Sequence, residues 1–246
     1  MLSFFSKKNK ISDLAWLGTD IHSHILPGID DGSPDLPTSL RFVKSLQELG
    51  FDQLIATPHI FKELYPNSQG TIEAAKSLLQ AEMDSQHITL KLGAAAEYMI
   101  DQDFSMGEPL CTLDNKHLLI EMSYLTESPG ISQTIFDIEI KGLRPILAHP
   151  ERYTFYFKDK SRLKRFKEKG CLLQLNILSI LGYYGKEVKN LAEILLKERM
   201  YDFVGTDLHH DKHLNTLTDA VQSGRLHELI GNYGFKNQEV FGQVIA

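Results

Sequence analysis

Segments with helical periodicity alternate with short apolar runs along the chain. Residues 35–49 place leucine and valine side chains three or four positions apart, which predicts an amphipathic helix that Gly50 can end. The apolar run 53–57 follows directly and predicts a strand. The same helix–glycine–strand unit recurs twice, as helix 131–141 before strand 145–149 and as helix 158–169 before strand 171–176.

Four further apolar runs predict strands, and they span residues 17–22, 88–97, 117–122 and 200–207. Near-continuous apolar runs are typical of parallel sheets with both faces covered. Seven such strands separated by helices predict an α/β fold built as a closed or nearly closed βα barrel, with an open doubly wound sheet as the alternative. Because no linker or low-complexity stretch interrupts the chain, we expect one domain over residues 1–246, with residues 1–12 as a flexible basic extension.

Composition narrows the classes of function. The chain has 26 Lys and Arg against 32 Asp and Glu, a formal net charge of −6, which argues against a nucleic-acid-binding module with its clustered basic surface. The apolar run at residues 2–5 is far shorter than a signal-peptide core or a membrane span, so we expect no membrane insertion and a cytoplasmic location. Two cysteines, Cys111 and Cys171, argue against a disulfide framework and a thiolate zinc site.

Histidine and acidic residues fall where the predicted strands end. These residues are His22, His24, His59, Glu97, Glu121, His149, Asp207 and His209. Successive strand ends are separated by 37, 38, 24, 28 and 58 positions, and most of these intervals match one βα unit of about 30 residues. Because the carboxyl ends of parallel strands meet at one rim, we expect these side chains to lie together.

The paired spacing favours metal binding. His22 and His24 are two positions apart on an extended chain, so both rings point to one side, and Asp207 and His209 repeat this spacing. Imidazole and carboxylate without thiolate suit ions such as Zn, Mn or Fe and do not decide among them. The number of ligands predicts more than one ion. Glu97 could bridge two ions about 3.5–4 Å apart, a common hydrolytic arrangement.

A single histidine at a strand end is more often a hydrogen-bonded structural residue than a ligand. The joint pattern favours the metal interpretation, because histidines and acids at successive strand ends are difficult to explain one by one. His87, His117 and His227 fall outside the pattern, and we expect them to be structural or surface residues.

Several motifs together resemble a known superfamily. They are Asp20-Ile-His-Ser-His24 with its continuation to Gly32, Thr57-Pro-His59, His149-Pro-Glu-Arg-Tyr153 and Asp207-Leu-His209. From about residue 17 to about 215, the chain is similar to the polymerase-and-histidinol-phosphatase (PHP) superfamily, and more narrowly to bacterial tyrosine-protein phosphatases associated with capsule and exopolysaccharide synthesis. The resemblance implies a distorted seven-stranded, TIM-like (β/α)7 barrel with three divalent ions at the carboxyl ends of its strands. Manganese is the expected metal, with iron, zinc or magnesium as alternatives.

The resemblance also implies a ligand set for each ion. The first ion would be held by His22, His24, Glu97 and Asp207, and Glu97 would bridge to a second ion held by Glu121 and His149. The third ion would be held by Asp31, His59 and His209. Spacing alone allows Asp30 in place of Asp31, and the resemblance selects the later residue.

Substrate residues are implied in the same way. Arg152 would grip the phosphate. The family often has an arginine shortly after its last motif, where this chain reads His210-Asp-Lys-His213, so Lys212 is the predicted replacement. Lysine is a point cation and cannot reproduce a bidentate guanidinium contact. Tyr153 and Tyr183 are predicted to contact the substrate ring by stacking. If a general acid exists, His210 or His213 is the nearest candidate in sequence.

The expected activity is metal-assisted hydrolysis of phosphotyrosine by a hydroxide that bridges two ions, with Arg152 stabilising charge on the phosphoryl oxygens. The implied partner is a phosphotyrosine protein, a membrane-associated bacterial tyrosine kinase of polysaccharide synthesis. A cysteine-dependent mechanism is excluded, because the position six residues after each cysteine holds His117 or Ile177 instead of arginine. The alternatives are a small-molecule phosphatase of the same superfamily, such as a histidinol-phosphate phosphatase, and a non-catalytic metal-binding regulatory module.

Overall fold

A computed structural model describes residues 10–107 and 109–243 of the 246-residue chain. Short strands and α-helices alternate through most of this range. The strands are β1 (Thr19–Asp20), β2 (Gln53–Ala56), β3 (His59–Ile60), β4 (Lys91–Ala94), β5 (Glu97–Met99), β6 (His117–Glu121), β7 (Arg144–Ala148), β8 (Leu172–Asn176) and β9 (Phe203–Gly205). The helices are α1 (Leu36–Glu48), α2 (Gln69–Ser85), α3 (Ile131–Ile140), α4 (Ser161–Glu168), α5 (Ile177–Leu181), α6 (Lys186–Lys197), α7 (Asp211–Gln222), α8 (Arg225–Ile230) and α9 (Asn237–Phe241).

The strands form two parallel sheets. One has the order β1-β2-β4 and the other β3-β5-β6-β7-β8-β9. Every pairing between named strands is parallel, as the apolar runs predicted, and the α/β class is confirmed. The predicted closed barrel of seven strands is not seen: the strand ladders of residues 10–107 and 109–243 form two separate sheets.

The strand count differs from the prediction because the chain changes sheets at two neighbouring places. The run from Gln53 pairs in the first sheet up to Ala56, and pairing resumes in the second sheet at His59. Between them lies Pro58, which has no N–H to donate to a sheet. The predicted strand 88–97 is interrupted beside this point, between β4, which pairs with β2, and β5, which pairs with β3. A hydrophobic pattern cannot reveal such a switch, because it indicates which residues are buried but not which neighbouring strand they pair with.

Helix α1 shows why the predicted boundaries hold. The Asp35 side chain accepts a hydrogen bond from the Thr38 backbone N–H at 2.9 Å and caps the helix, and Gly50 follows it with φ 107°, a conformation that suits glycine. The predicted helix 158–169 is shorter in the structure. It begins at Ser161, whose N–H and hydroxyl both contact the Asp159 side chain.

The described residues form two buried apolar clusters. The larger runs from Leu14 to Ile230 and packs the helices onto the sheets, and the smaller joins strand residues such as Ile55, Leu119 and Ile146 to Phe241. The polar carboxyl ends of the strands are left as the edge on which a site can form. Among the described residues, no helix combines the length and the hydropathy needed to cross a membrane. The predicted flexible extension lies mostly outside the described range, which begins at Lys10.

Candidate metal centre

The carboxyl ends of the strands bring the nine predicted ligands to one place. His22 follows β1, His59 lies just beyond the end of β2, Glu97 lies just beyond the end of β4, and Glu121 ends β6. Their ligand atoms form four overlapping groups, within each of which all atoms lie within 4.8 Å of one another. The groups are His24, Asp31, His59 and His209; His22, His24 and Asp207; His22, Glu97 and His149; and His59, Glu97 and Glu121.

Glu97 lies at the centre of the cluster. Its Oε2 atom is 3.2 Å from Nε2 of His22 and 3.4 Å from Nε2 of His24, while its Oε1 atom is 3.1 Å from Nε2 of His149. The carboxylate is fully buried, yet Oε2 has no hydrogen-bond partner of acceptable geometry. Buried polar atoms are normally hydrogen-bonded, so this orphaned oxygen indicates that something else satisfies it. A cation among these ligands would do so.

The histidine pair supports the same interpretation. Nε2 of His22 and Nε2 of His24 face each other at 3.2 Å, and both lie within 3.4 Å of Oδ1 of Asp207. Nitrogen and oxygen lone pairs converging on one small space fit a divalent metal of the borderline-to-hard class. The residues present therefore fit bound metal ions.

Asp30 and Asp31 have different surroundings. Asp31 Oδ1 lies 3.4 Å from Nε2 of His59 and 3.5 Å from Nε2 of His209, at the exposed side of the cluster. The Asp30 carboxylate lies 2.8 Å from Nδ1 of His24 and accepts a hydrogen bond from the His59 backbone N–H. Asp31 thus lies within a group of potential ligands, whereas Asp30 contacts the ring of His24 from its other nitrogen.

Other ligands are held by similar contacts. Nδ1 of His22 lies 2.9 Å from Oε1 of Gln174, and Nδ1 of His209 lies 3.0 Å from the backbone oxygen of Asp207. A second partner of this kind fixes the ring so that its other nitrogen faces the metal. His149 and Asp207 also have left-handed backbones, with φ 35° and 51°, a conformation that costs about 1–3 kcal/mol and is concentrated at functional sites.

Burial and crowding set the charges of these groups. Burial opposes the charged form of Glu97, but His22 and the other imidazoles hold the pKa of its carboxyl well below the ordinary value. Burial and His24 also oppose a charge on His59, but contacts with Asp31 and Glu121 raise its pKa to about 10. Burial together with His24 lowers the pKa of His209 to about 3. Glu97 therefore stays ionised at neutral pH.

A cavity of about 500 Å³ opens over the cluster, and Arg152 lies in its wall. The guanidinium of Arg152 is held between two aromatic rings, 4.4 Å from the centroid of Tyr124 and 4.1 Å from that of Tyr184. Its NH1 group donates to Oδ2 of Asp207 at 2.8 Å. These contacts place a fixed cation beside the metal ligands.

The predicted substrate residues divide into those at the cavity and those away from it. Tyr183 lines the cavity and is 37% exposed. The predicted substrate contact of Tyr153 is wrong for this structure: the side chain is fully buried, and its hydroxyl accepts a hydrogen bond from the Met122 N–H at 3.0 Å. Lys212 lies exposed in the first turn of α7 and is not among the residues that line the cavity, whereas His210 and His213 are.

Tyr124 was not found from the sequence. Tyr124 lies three positions after Glu121, in the segment that leaves β6. Its position just after a strand that ends in a candidate ligand is the sequence feature that could have identified it. The cysteines lie apart from this chemistry. Cys171 is buried, which raises the pKa of its thiol to about 12, and burial also raises the pKa of Cys111.

Comparison with known proteins points to one family. The family model described as capsular polysaccharide synthesis, CpsB/CapC, matches residues 18–223. The chain is 31% identical over 206 residues to the tyrosine-protein phosphatase YwqE of Bacillus subtilis, covering 82% of this chain and 81% of that protein. It is 30% identical over 200 residues to the tyrosine-protein phosphatase CpsB of Streptococcus agalactiae serotype V, covering 78% of this chain and 82% of that protein.

A solved structure gives the same result. It comes from work on YwqE of Bacillus subtilis and CpsB of Streptococcus pneumoniae, described there as metal-dependent tyrosine phosphatases. It superimposes on this chain with a TM-score of 0.77 at 28% identity, and the match covers 87% of this chain and 88% of the solved one.

Proposed function

Because the chain belongs to the CpsB/CapC family of capsular polysaccharide synthesis, we propose that it is a metal-dependent protein-tyrosine phosphatase acting in capsule or exopolysaccharide synthesis. The observation that carries the proposal is the buried, orphaned Oε2 of Glu97, a residue shared by two of the four overlapping ligand groups, beside a fixed arginine. A metal-binding regulatory module would need the ligands but not Arg152 in the cavity wall.

The proposed cofactor is three divalent ions, the number that the resemblance implies, with manganese as the first candidate and iron, zinc or magnesium as alternatives. The four ligand groups share residues and can therefore serve fewer ions than there are groups. The holders are His22, His24, Glu97 and Asp207 for one ion, Glu97, Glu121 and His149 for the second, and Asp31, His59 and His209 for the third. Two of the four groups of neighbouring ligand atoms meet at Glu97, one with His22 and His149 and one with His59 and Glu121, which supports its role as the bridge. When bound, the ions would neutralise phosphoryl charge and supply an activated water.

The protein's own contribution is to bind and orient the phosphate ester. Arg152 supplies a guanidinium whose fork matches phosphoryl oxygens and stabilises their charge as it develops. The rings of Tyr65, Tyr124, Tyr183 and Tyr184 line the cavity and suit an aromatic leaving group. A phenol with a pKa of about 10 leaves more readily than an alkyl alcohol, which lessens the need for a general acid.

The two sheets form one seven-segment ring in this proposal. β2 and β3 count as one interrupted segment, and β4 and β5 as another. The ends of the ring would meet beyond β1 and β9, where Ser23 and Leu208 form an isolated parallel bridge and the His24 N–H donates to the Leu208 oxygen at 3.0 Å. A ring of this kind places all ligands on one rim.

The substrate partner is a phosphotyrosine protein, which we take to be a membrane-associated bacterial tyrosine kinase of polysaccharide synthesis, reached from the cytoplasm. The alternative substrate is histidinol phosphate. Turnover of a phosphotyrosine peptide and of histidinol phosphate by the manganese-loaded protein distinguishes the two. Higher kcat/KM for the peptide is the expected result, and higher kcat/KM for histidinol phosphate would overturn the assignment.

A further inference from the structure

A second cavity continues from the one over the ligand cluster. It has a volume of about 710 Å³, within the range of ligand-binding pockets, and lies between the segment after β3 and the segment after β6. Phe61, Met99 and Tyr124 line both cavities. We call the second cavity the flanking groove. Tyr124 forms the partition between them, because one ring contacts Arg152 and also lines the groove.

The flanking groove has the chemistry of an apolar subsite. Ile100 and Met122 are buried along the groove, and Met99 is partly exposed where the groove joins the cavity over the ligand cluster. Leu125 stands at its edge with 86% of its surface exposed, which makes it the most exposed large apolar side chain among the described residues. Aromatic residues and methionine are enriched at protein interfaces, and methionine adapts its shape to different partners.

The charges of the groove limit what can bind there. Glu63 and Asp101 are the charged residues of its described lining, and no lysine, arginine or histidine accompanies them. A peptide with acidic residues beside its phosphotyrosine would meet like charge in this groove. An apolar side chain would instead cover Leu125 and Met99 and remove apolar surface from water.

From this geometry we infer that the flanking groove binds an apolar side chain of the substrate polypeptide, within three residues of the phosphotyrosine and on one side of it. The inference rests on the proposed phosphatase function, because the side chain in the groove would belong to the same polypeptide as the phosphotyrosine in the cavity over the ligand cluster. It assigns Leu125 and Met99 as specificity-determining residues. The same surface favours a polypeptide substrate over a small phosphate ester, which would fill only the cavity over the ligand cluster.

The test uses peptides of alanine and serine around one phosphotyrosine, with leucine or aspartate placed singly at each of the three positions on either side. The manganese-loaded protein is assayed with each peptide and with free phosphotyrosine. We expect kcat/KM to be about 10-fold higher for leucine than for aspartate on one side, which corresponds to burial of one apolar side chain. Equal kcat/KM for the leucine and aspartate peptides on both sides would overturn the inference.

Two variants locate the effect. Leu125→Asp adds a third carboxylate at the groove edge and should abolish the leucine preference. Leu78→Asp is the matched control, because Leu78 is 52% exposed on α2 and lines none of the cavities described here. If the leucine preference survives Leu125→Asp, the preference arises at another surface, and this result would overturn the inference. Failure to hydrolyse free phosphotyrosine as well as every peptide would instead overturn the proposed function.

Discussion

The Asp30 carboxylate lies 2.8 Å from Nδ1 of His24, on the side of the ring opposite the ligand cluster. The same carboxylate accepts hydrogen bonds from the backbone N–H groups of Gly32, at 2.9 Å, and His59, at 3.2 Å. Burial opposes its charge, but His24 and these contacts lower the pKa of Asp30 to about 2. Asp30 therefore stays ionised at neutral pH and fixes which nitrogen of His24 faces the metal site.

Removing that charge should weaken metal binding without removing a ligand. We expect Asp30→Asn to lower manganese affinity by about 10- to 100-fold, the usual cost of losing an orienting partner of a metal-bound histidine. Isothermal titration of the metal-depleted protein with manganese measures this affinity. Asp35→Asn is the control, because Asp35 caps α1 and asparagine caps helices equally well. Unchanged affinity in Asp30→Asn would show that His24 does not need this partner.

Arg152→Ala separates phosphate binding from metal binding. Because its guanidinium contacts Asp207 but is not itself a ligand, the variant should keep its metal content. We expect kcat/KM for phosphotyrosine to fall by about 10²- to 10³-fold, the scale of losing one stabilising donor in other active sites. Metal analysis and steady-state kinetics on the same sample check this. Loss of metal together with activity would make Arg152 a structural support of the cluster.

The rings around Arg152 should also matter. Tyr184→Phe keeps the ring that lies 4.1 Å from the guanidinium, whereas Tyr184→Leu removes it. A cation–π contact contributes about 0.5–2 kcal/mol, so we expect KM to rise by about 2- to 30-fold in the leucine variant and less in the phenylalanine variant. Equal effects of both variants would assign the role to the hydroxyl instead.

The thiols should be dispensable. Burial raises the pKa of Cys171 to about 12, so almost no thiolate exists at pH 8, and the thiolate is the reactive form. We expect iodoacetamide at pH 8 to leave phosphotyrosine hydrolysis unchanged, and Cys171→Ala to remain active. Rapid inactivation of the wild type, prevented by Cys171→Ala, would contradict a thiol-independent mechanism.

The clustering of the candidate ligands could be predicted from the sequence because most of them follow the strands at intervals close to one βα unit. His22, Glu97 and Asp207 each lie where a buried run meets polar residues, and parallel topology brings such ends together. Whether Asp30 or Asp31 faces the ligand cluster depends on the conformation of the loop that carries them. The spacing of residues along the sequence does not give this conformation. The substrate residues were harder to predict, because burial decides their roles. Tyr153 and Tyr184 both lie shortly after a predicted strand, but the Tyr153 ring packs edge-on against His149, whereas the Tyr184 ring contacts Arg152.

If the ligand cluster holds metal ions that the reaction needs, activity must follow the number of ions bound to the protein. Phosphotyrosine hydrolysis is followed while the bound metal of the purified protein is counted by elemental analysis, before chelation, after it and after manganese is restored. We predict about three divalent ions per chain, loss of activity in step with their removal, and recovery on reloading. Full hydrolysis by a chain shown to hold no metal would mean that the reaction does not depend on ions at the ligand cluster.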